Sequence, residues 1–338
     1  MRGRHRVSDA ADHDRHSDPI ADPSASSTNS SSSLANGGFG AELPTNDGVP
    51  RDTTTQERRQ HRRHVTTSIV AEISGRLSER DYAILRSVDQ HRFLATSHIE
   101  MFHFAHIAPT ARGRITRRAV ARLRDLRVIV MLQHTIGGVR AGSQGKVYGV
   151  DIVGDRLLRD LVRGGARVRG LQEPSLRFLN HRLAIADCHA TLVAADRTRQ
   201  IELTDSSVEP ASWRTFTGTS GARLTLKPDL YAETTTAPGS DLVTAWFLEI
   251  DLGTESIPTL LRKCRDYEAY RRSGIEQDRH GSFPLVIWSM THPDSAKAQR
   301  RRQALAEAIA ADRNLPDVLF RIVAPEQLLP LIQQGAAL

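Results

Sequence analysis

The chain of 338 residues contains only two cysteines, Cys188 and Cys264. They form no CxxC pair and no zinc-ligand spacing, which excludes a disulfide framework and a structural zinc site. Two buried thiols in a reducing compartment are expected instead. Long hydrophobic runs are also missing. No stretch of about 18 apolar residues occurs, so no membrane span is expected. The N-terminus is polar from Met1 onward and lacks the apolar core of a secretory signal, so a cytoplasmic protein is expected. There is no phosphate-cradling P-loop, no dinucleotide glycine fingerprint and no Ser-His-Asp order, which removes the common nucleotide-binding and acyl-transfer classes. His103 and His106 lie close together but have no third partner nearby, so no histidine metal cluster is expected. Acidic residues are in the minority: 46 Lys and Arg stand against 39 Asp and Glu, a net charge of +7. That balance favours a polyanionic partner.

Composition divides the chain into three. Residues 1–72 read as a disordered basic and Ser-rich tail, because the run from Ser24 to Ser33 cannot bury enough apolar surface to offset chain entropy. The basic run Arg58-Arg59-Gln60-His61-Arg62-Arg63-His64 is either an arm that touches phosphates or a solvated tail. Order is expected from about Leu77. Residues 73–165 and 172–338 read as two domains, joined by a linker around Gly164-Gly165 and Gly170.

In the first domain, Ser78 with Asp81 three residues on marks a capped helix start. A second helix fits Thr96–Phe104, with Ile99, Met101 and Phe102 as its apolar side. A third fits residues 111–126. Two short strands follow, residues 128–132 and 146–150, around a Gly137-Gly138 turn, and then a helix from Gly154 to Val162. Three helices and a glycine-tipped hairpin give the order of a winged helix. On the third helix Ile115, Ala119, Leu123 and Leu126 share one face, while Arg114, Arg117, Arg118, Arg122 and Arg124 mostly face away. Arg112 lies in its first turn, and Arg140 and Lys146 flank the wing loop. An apolar stripe holds such a helix down while guanidinium groups reach phosphates and guanine edges of double-stranded DNA. A solvated basic face is the plainer alternative.

The second domain reads as helix 175–195, strands 201–204, 223–232 and 243–251, helix 256–272 and strand 283–290. Helix 294–311, strand 318–323 and a short final helix complete it. The order is α-β-β-β-α-β and then α-β-α. Lys227-Pro228-Asp229 and Phe247-Leu248-Glu249-Ile250-Asp251 place carboxylates near the ends of two strands. If those strands pair as a hairpin, Asp229 and Glu249 meet in a hard-oxygen site suited to Mg2+ or Mn2+. Lys263 and Tyr267 share a helix face at a spacing of four.

These residues resemble the PD-(D/E)XK nucleases, which share this core, with the Asp after the Pro and the Glu one strand later. The resemblance implies a mixed α/β protein, a winged helix-turn-helix followed by a restriction-endonuclease-like core. The usual lysine two residues after the Glu is replaced by Asp251. Lys263 and Tyr267 resemble the Gln-x-x-x-Tyr of RecB-like members, which makes Lys263 a migrated catalytic lysine and Asp251 a third metal ligand or a supporting group. More narrowly, the chain from Leu77 to about Ala324 resembles the actinobacterial replication-relaxation family. The resemblance rests on Pro228-Asp229, the run from Glu249 to Ser256, and Lys263 with Tyr267. It implies plasmid or integrative-element DNA as the setting, and other replication or conjugation proteins as partners.

The remaining candidates carry plainer expectations. Asn180 and His181 begin the first helix of this domain; His181 is expected to be structural, with the site as its alternative. Asp187 is expected at the surface. Glu202, Glu209 and Trp213 precede the Pro-Asp strand, and Trp213 is expected in the core, with base stacking as the alternative. Two functions stand open. One is a DNA-binding protein whose nuclease-like domain has lost its chemistry. The other is a Mg2+-dependent endonuclease or nickase using Asp229, Glu249, Asp251, Lys263 and Tyr267.

Overall fold

Ser78 caps its helix through the expected box: its Oγ accepts from the Asp81 N–H, and its own N–H donates to Asp81 Oδ2 at 2.8 Å. The computed structural model in which this is seen describes residues 65–133, 145–161, 173–235, 239–240 and 242–335. The basic run at 58–64, the Gly137-Gly138 turn, Arg140 and the glycine linker lie outside those residues. Helical structure starts earlier than Leu77. Thr66 caps helix α1 (Thr67–Arg76), and Val70 and Ile73 enter the first core. The expected tail, residues 1–72, thus overlaps this helix: Ile69, Val70 and Ile73 mark it, but the long polar stretch before them outweighs so short a pattern.

Helices α2 (Glu79–His91), α3 (Thr96–Phe104) and α4 (Pro109–Asp125) follow. Strands β1 (Leu94–Ala95), β2 (Ile129–Met131) and β3 (Val147–Val150) form an antiparallel sheet in the order β1-β3-β2. At two residues, β1 is too short to show as a pattern. On α3, Ile99 and Phe104 are buried, whereas Met101 faces outward, contrary to expectation. The buried stripe of α4 is Thr116, Val120 and Leu123, with Ile115, Ala119 and Leu126 at its margin. It is displaced from the expected face because Thr116 can be buried: its hydroxyl donates to Arg112 O at 3.0 Å. Helix α5 (Ile152–Leu161) crosses so close to Val128 that a Cβ on Gly154 would lie 2.2 Å from the Val128 carbonyl oxygen.

Helix α6 (Leu176–Arg197) leads into a mixed five-stranded sheet, order β10-β9-β8-β7-β4. Its strands are β4 (Glu202–Val208), β7 (Leu230–Thr235), β8 (Val243–Asp251), β9 (Leu285–Met290) and β10 (Phe320–Val323). Pairing is antiparallel from β4 to β8 and parallel from β8 to β10. Alternation along β8 sends Trp246, Leu248 and Ile250 toward α6 and the last helix, α10 (Leu328–Gln334). It sends Phe247 to the other face, against α7 (Ile257–Arg272) and α9 (Ser295–Ala311). The short helix α8 (Ile275–His280) lies between α7 and β9. The expected strand 223–232 is in fact two. β6 (Arg223–Leu226) pairs with β5 (Arg214–Thr217) in a separate hairpin, and β7 begins only at Leu230. Pro228 has no N–H for a ladder, and its carbonyl accepts from Ser212 Oγ at 2.6 Å, so the chain changes sheets there.

Residues 63–338 form one compact unit, and α6 is what joins its cores. Leu179 and Leu183 pack with Phe93, Leu132 and Val147, Ala186 enters the first core, and Ile185, Cys188 and Leu192 pack under the large sheet. Arg182, 1% exposed, donates to the His91 carbonyl and to the Glu209 carboxylate. His91 Nε2 and His189 Nδ1 share a hydrogen bond of 2.9 Å. Burial, with His189 opposing a second charge, pushes His91 down to about 3, and burial pushes His189 down to about 4. Both are depressed below the unfolded value of 6.5, so their contribution is intact above it and is lost as pH falls through about 4 and then about 3. Calorimetry should show the unfolding midpoint dropping through that window, with a shallower drop in the His91→Gln, His189→Gln double variant. Parallel slopes would refute the assignment.

Candidate functional site

Three acids meet across the end of three neighbouring strands. The register Leu230↔Leu248 between β7 and β8 sets Asp229 opposite Glu249. The register Val208↔Leu230 between β4 and β7 sets Glu209 opposite Asp229, and the Glu209 N–H donates to Asp229 O at 3.1 Å. Asp229 Oδ2 accepts from the Ile250 N–H at 2.8 Å and lies 3.4 Å from His181 Nε2. Glu249 is fully buried, and both its oxygens are engaged: Lys263 Nζ donates to Oε2 and the Tyr267 hydroxyl to Oε1. The shared helix face of Lys263 and Tyr267 thus closes on a single carboxylate.

The electrostatics separate these groups. Burial opposes the Asp229 charge, but Lys263, the His181 hydrogen bond and the Ile250 N–H hold its carboxyl below the usual range. Burial, with the Asp229 charge added, pushes Glu249 up to about 8 against the pull of Lys263 and Tyr267. Burial disfavours the Lys263 ammonium, yet Glu249 and Asp229 hold it protonated. Removing this cation leaves Glu249 with the hydroxyl alone. Lys263→Met should therefore cost about 2–4 kcal/mol in urea unfolding, given that Lys263 is partly exposed. Adding Glu249→Gln should recover most of the loss; no recovery would mean that packing, not charge, carries the effect.

Asp251 stands apart from this cluster. Its Oδ2 accepts from Arg301 Nη2 at 2.7 Å and its Oδ1 from the Gly253 N–H at 3.1 Å. The donors that converge are instead His181, Glu209 and Asp229, whose ligand atoms lie within 4.8 Å of one another. One imidazole and two carboxylates suit Mn2+ and admit Mg2+. Of the expected ligand set Asp229, Glu249 and Asp251, only Asp229 belongs to this group; Glu249 faces Lys263 and Tyr267 and Asp251 faces Arg301, while Glu209 within the group also pairs with Arg182. Glu209, noted in the sequence only for preceding the Pro-Asp strand, reaches the group through the β4–β7 register.

The arginines of α4 divide into two kinds. Arg112 donates to the carbonyls of Ala105 and Ile107, and Arg122 pairs with buried Asp81, so both work within the fold. Arg124 pairs with its neighbour Asp125 at 2.9 Å. Arg114, Arg117 and Arg118 are exposed and make no hydrogen bond or ion pair among the described residues.

A family model described as replication-relaxation matches residues 85–286, a span that holds both the α4 arginines and the acidic cluster. The chain belongs to the replication-relaxation family. Neither the curated proteins nor the solved structures include a match to it. Membership suggests a role in replication or relaxation of mobile DNA. In this replication-relaxation protein no helix among the described residues is long and apolar enough to cross a membrane.

The other candidates of the replication-relaxation chain fall as follows. Both cysteines are free and buried, as expected. Asp187 is exposed and accepts from His98 Nε2 at 2.6 Å. The two border a groove of about 820 Å³ that Arg117, Arg124 and Lys146 also line. Trp213 is not in the core: it is 37% exposed, with Lys227 Nζ 4.8 Å above its ring. Glu202 accepts from the Gly239 N–H at 2.9 Å, remote in role from the acidic centre. His103 Nε2 shares a 3.0 Å hydrogen bond with Ser87 Oγ.

Proposed function

We propose that this protein binds double-stranded DNA during replication or transfer of plasmid or integrative-element DNA, through a winged helix whose recognition helix is α4. The observation that carries this reading is the row Arg114, Arg117 and Arg118. Three guanidinium groups are held at the surface with no protein partner among the described residues, on a helix where Arg112 and Arg122 are used within the fold and Arg124 pairs with Asp125. Free guanidinium groups on a packed-down helix are what phosphate contact requires. Lys146, just before β3, lines the same groove as Arg117 and Arg124. Fluorescence anisotropy on a labelled duplex across a salt series tests the reading. A steep linear dependence of log affinity on log salt is expected, and a flat one would refute it.

A second reading, phosphodiester cleavage by a PD-(D/E)XK-like domain, is favoured by the row Glu209, Asp229 and Glu249 with His181 and Lys263. His181, Glu209 and Asp229 would hold the divalent ion, which when bound polarises a phosphoryl oxygen and acidifies water. Asp229 stays ionised at neutral pH and is oriented by the Ile250 N–H. Lys263, kept protonated, supplies positive charge where negative charge develops on phosphate. Tyr267 fixes Glu249 in place. Nicking of supercoiled plasmid in Mg2+ or Mn2+, absent in chelator, is the expected result. Intact plasmid under all conditions would leave a DNA-binding protein with a nuclease-like domain that has lost its chemistry.

A further inference from the structure

A cavity of about 800 Å³ opens beyond the ends of β8 and β9, against the first turns of α6. Its volume is that of a small-ligand site. Its lining combines an aromatic ring with several hydrogen-bond donors. Phe178 is 37% exposed, and its ring is braced by the Phe93 edge at 6.3 Å and the Arg92 guanidinium at 5.8 Å. Arg177 spends one donor on Thr254 O at 3.4 Å; its other guanidinium N–H groups have no protein acceptor among the described residues. His292 Nδ1 accepts from the Asp294 N–H at 2.9 Å, which leaves Nε2 as the N–H donor of the neutral ring. The ring lies so close to the chain that a Cβ on Gly253 would come within 2.6 Å of His292 Cδ2, and Gly253 itself holds φ at +77°. The run Leu252-Gly253-Thr254, which follows Asp251, therefore builds a wall of this cavity. The first turn of α6 carries no acid, so its partial positive end is not offset from within the helix. Glu255 is the single acid in the lining and disfavours a second phosphate. His181 lines the cavity and also contacts Asp229, so an occupant lies beside the acidic centre.

We propose that this cavity receives one nucleotide of a single DNA strand, the base against Phe178 and the phosphate between Arg177 and His292. The inference rests on the DNA-binding reading and narrows it: duplex engages α4, while a separated strand enters the cavity and presents its next phosphodiester to the row of acids. An aromatic face and a cationic phosphate contact are the usual means of holding an unpaired nucleotide.

The test uses the full chain, with (dT)8, free dTMP and a blunt duplex as probes, in salt high enough to suppress binding by the basic N-terminal residues. In the Arg177→Gln, His292→Gln double variant and in Phe178→Leu, affinity for (dT)8 should fall at least tenfold while affinity for the duplex changes less than threefold. Unchanged (dT)8 binding, or equal losses on both probes, overturns the proposal. If dTMP binds as tightly as (dT)8, the cavity takes a free nucleotide and the strand assignment is wrong. Should Phe178→Leu fail to fold, the Arg177 and His292 pair decides, since neither is a core residue. Failure of the winged-helix reading looks different: duplex affinity would then be indifferent to the α4 arginines while (dT)8 still responds to the cavity variants.

Discussion

Replacing Arg114, Arg117 and Arg118 together by alanine is expected to weaken duplex binding by roughly two to three orders of magnitude near 0.1 M salt. The figure follows from counterion release. Each phosphate contact on B-DNA releases about 0.9 counterion, so three contacts contribute about 2.7 to the slope of log affinity against log salt. At about 0.1 M that slope corresponds to several hundred-fold. The three side chains are exposed and unpaired among the described residues, so their loss should leave the unfolding midpoint almost unchanged. Arg122→Ala is the contrasting variant. It removes the cation from Asp81, which is buried and also closes the capping box of α2. A stability loss of about 1–2 kcal/mol is expected there, discounted because Arg122 is half exposed, with little change in salt slope. If the triple variant keeps the wild-type slope, α4 is not the recognition helix.

Asp229→Asn should reduce metal-dependent nicking by at least about a hundredfold, equivalent to roughly 2.7 kcal/mol of barrier. The substitution is nearly isosteric, and its side-chain oxygen can still accept from the Ile250 N–H, so the end of the sheet should hold its shape. What disappears is a buried, ionised carboxylate that, with Glu209, belongs both to the converging donors and to the acidic row. Mn2+ binding measured by calorimetry should be lost along with nicking, and duplex affinity should persist. Loss of nicking with Mn2+ binding intact would place the ion elsewhere. Loss of duplex affinity would show that Asp229 supports the fold more than the chemistry.

Much of this was legible in the sequence, and what was missed has physical causes. The pairing of Asp229 with Glu249 followed from two strand patterns separated by a short connection. The meeting of Lys263 and Tyr267 followed from helical spacing, and the observed hydrogen bonds to Glu249 agree with it. Glu209 was not legible as a site residue because β4 carries a register shift between Leu203 and Asp205, which alternation alone does not reveal. Arg301 lies fifty positions from Asp251 in sequence, and nothing local announces that contact. The separate roles of Arg112 and Arg122 were equally hidden: on a helical wheel they look like their neighbours, and only tertiary packing supplies their acceptors. Trp213 was expected inside because tryptophan usually is; here β5 and β6 form a side hairpin too small to cover it.

Helix α6 carries His181 on one turn and, within the next two, residues packed against the helices that precede α4 and against the large sheet. A continuous helix anchored in both places offers a route for small tilts without any hinge. Seating a duplex on α4 would then nudge the imidazole beside Asp229. By thermodynamic reciprocity, whatever fills the space around that imidazole alters duplex affinity by the same factor. Such a protein would sense two DNA features jointly, gripping hardest where paired and unpaired strands adjoin.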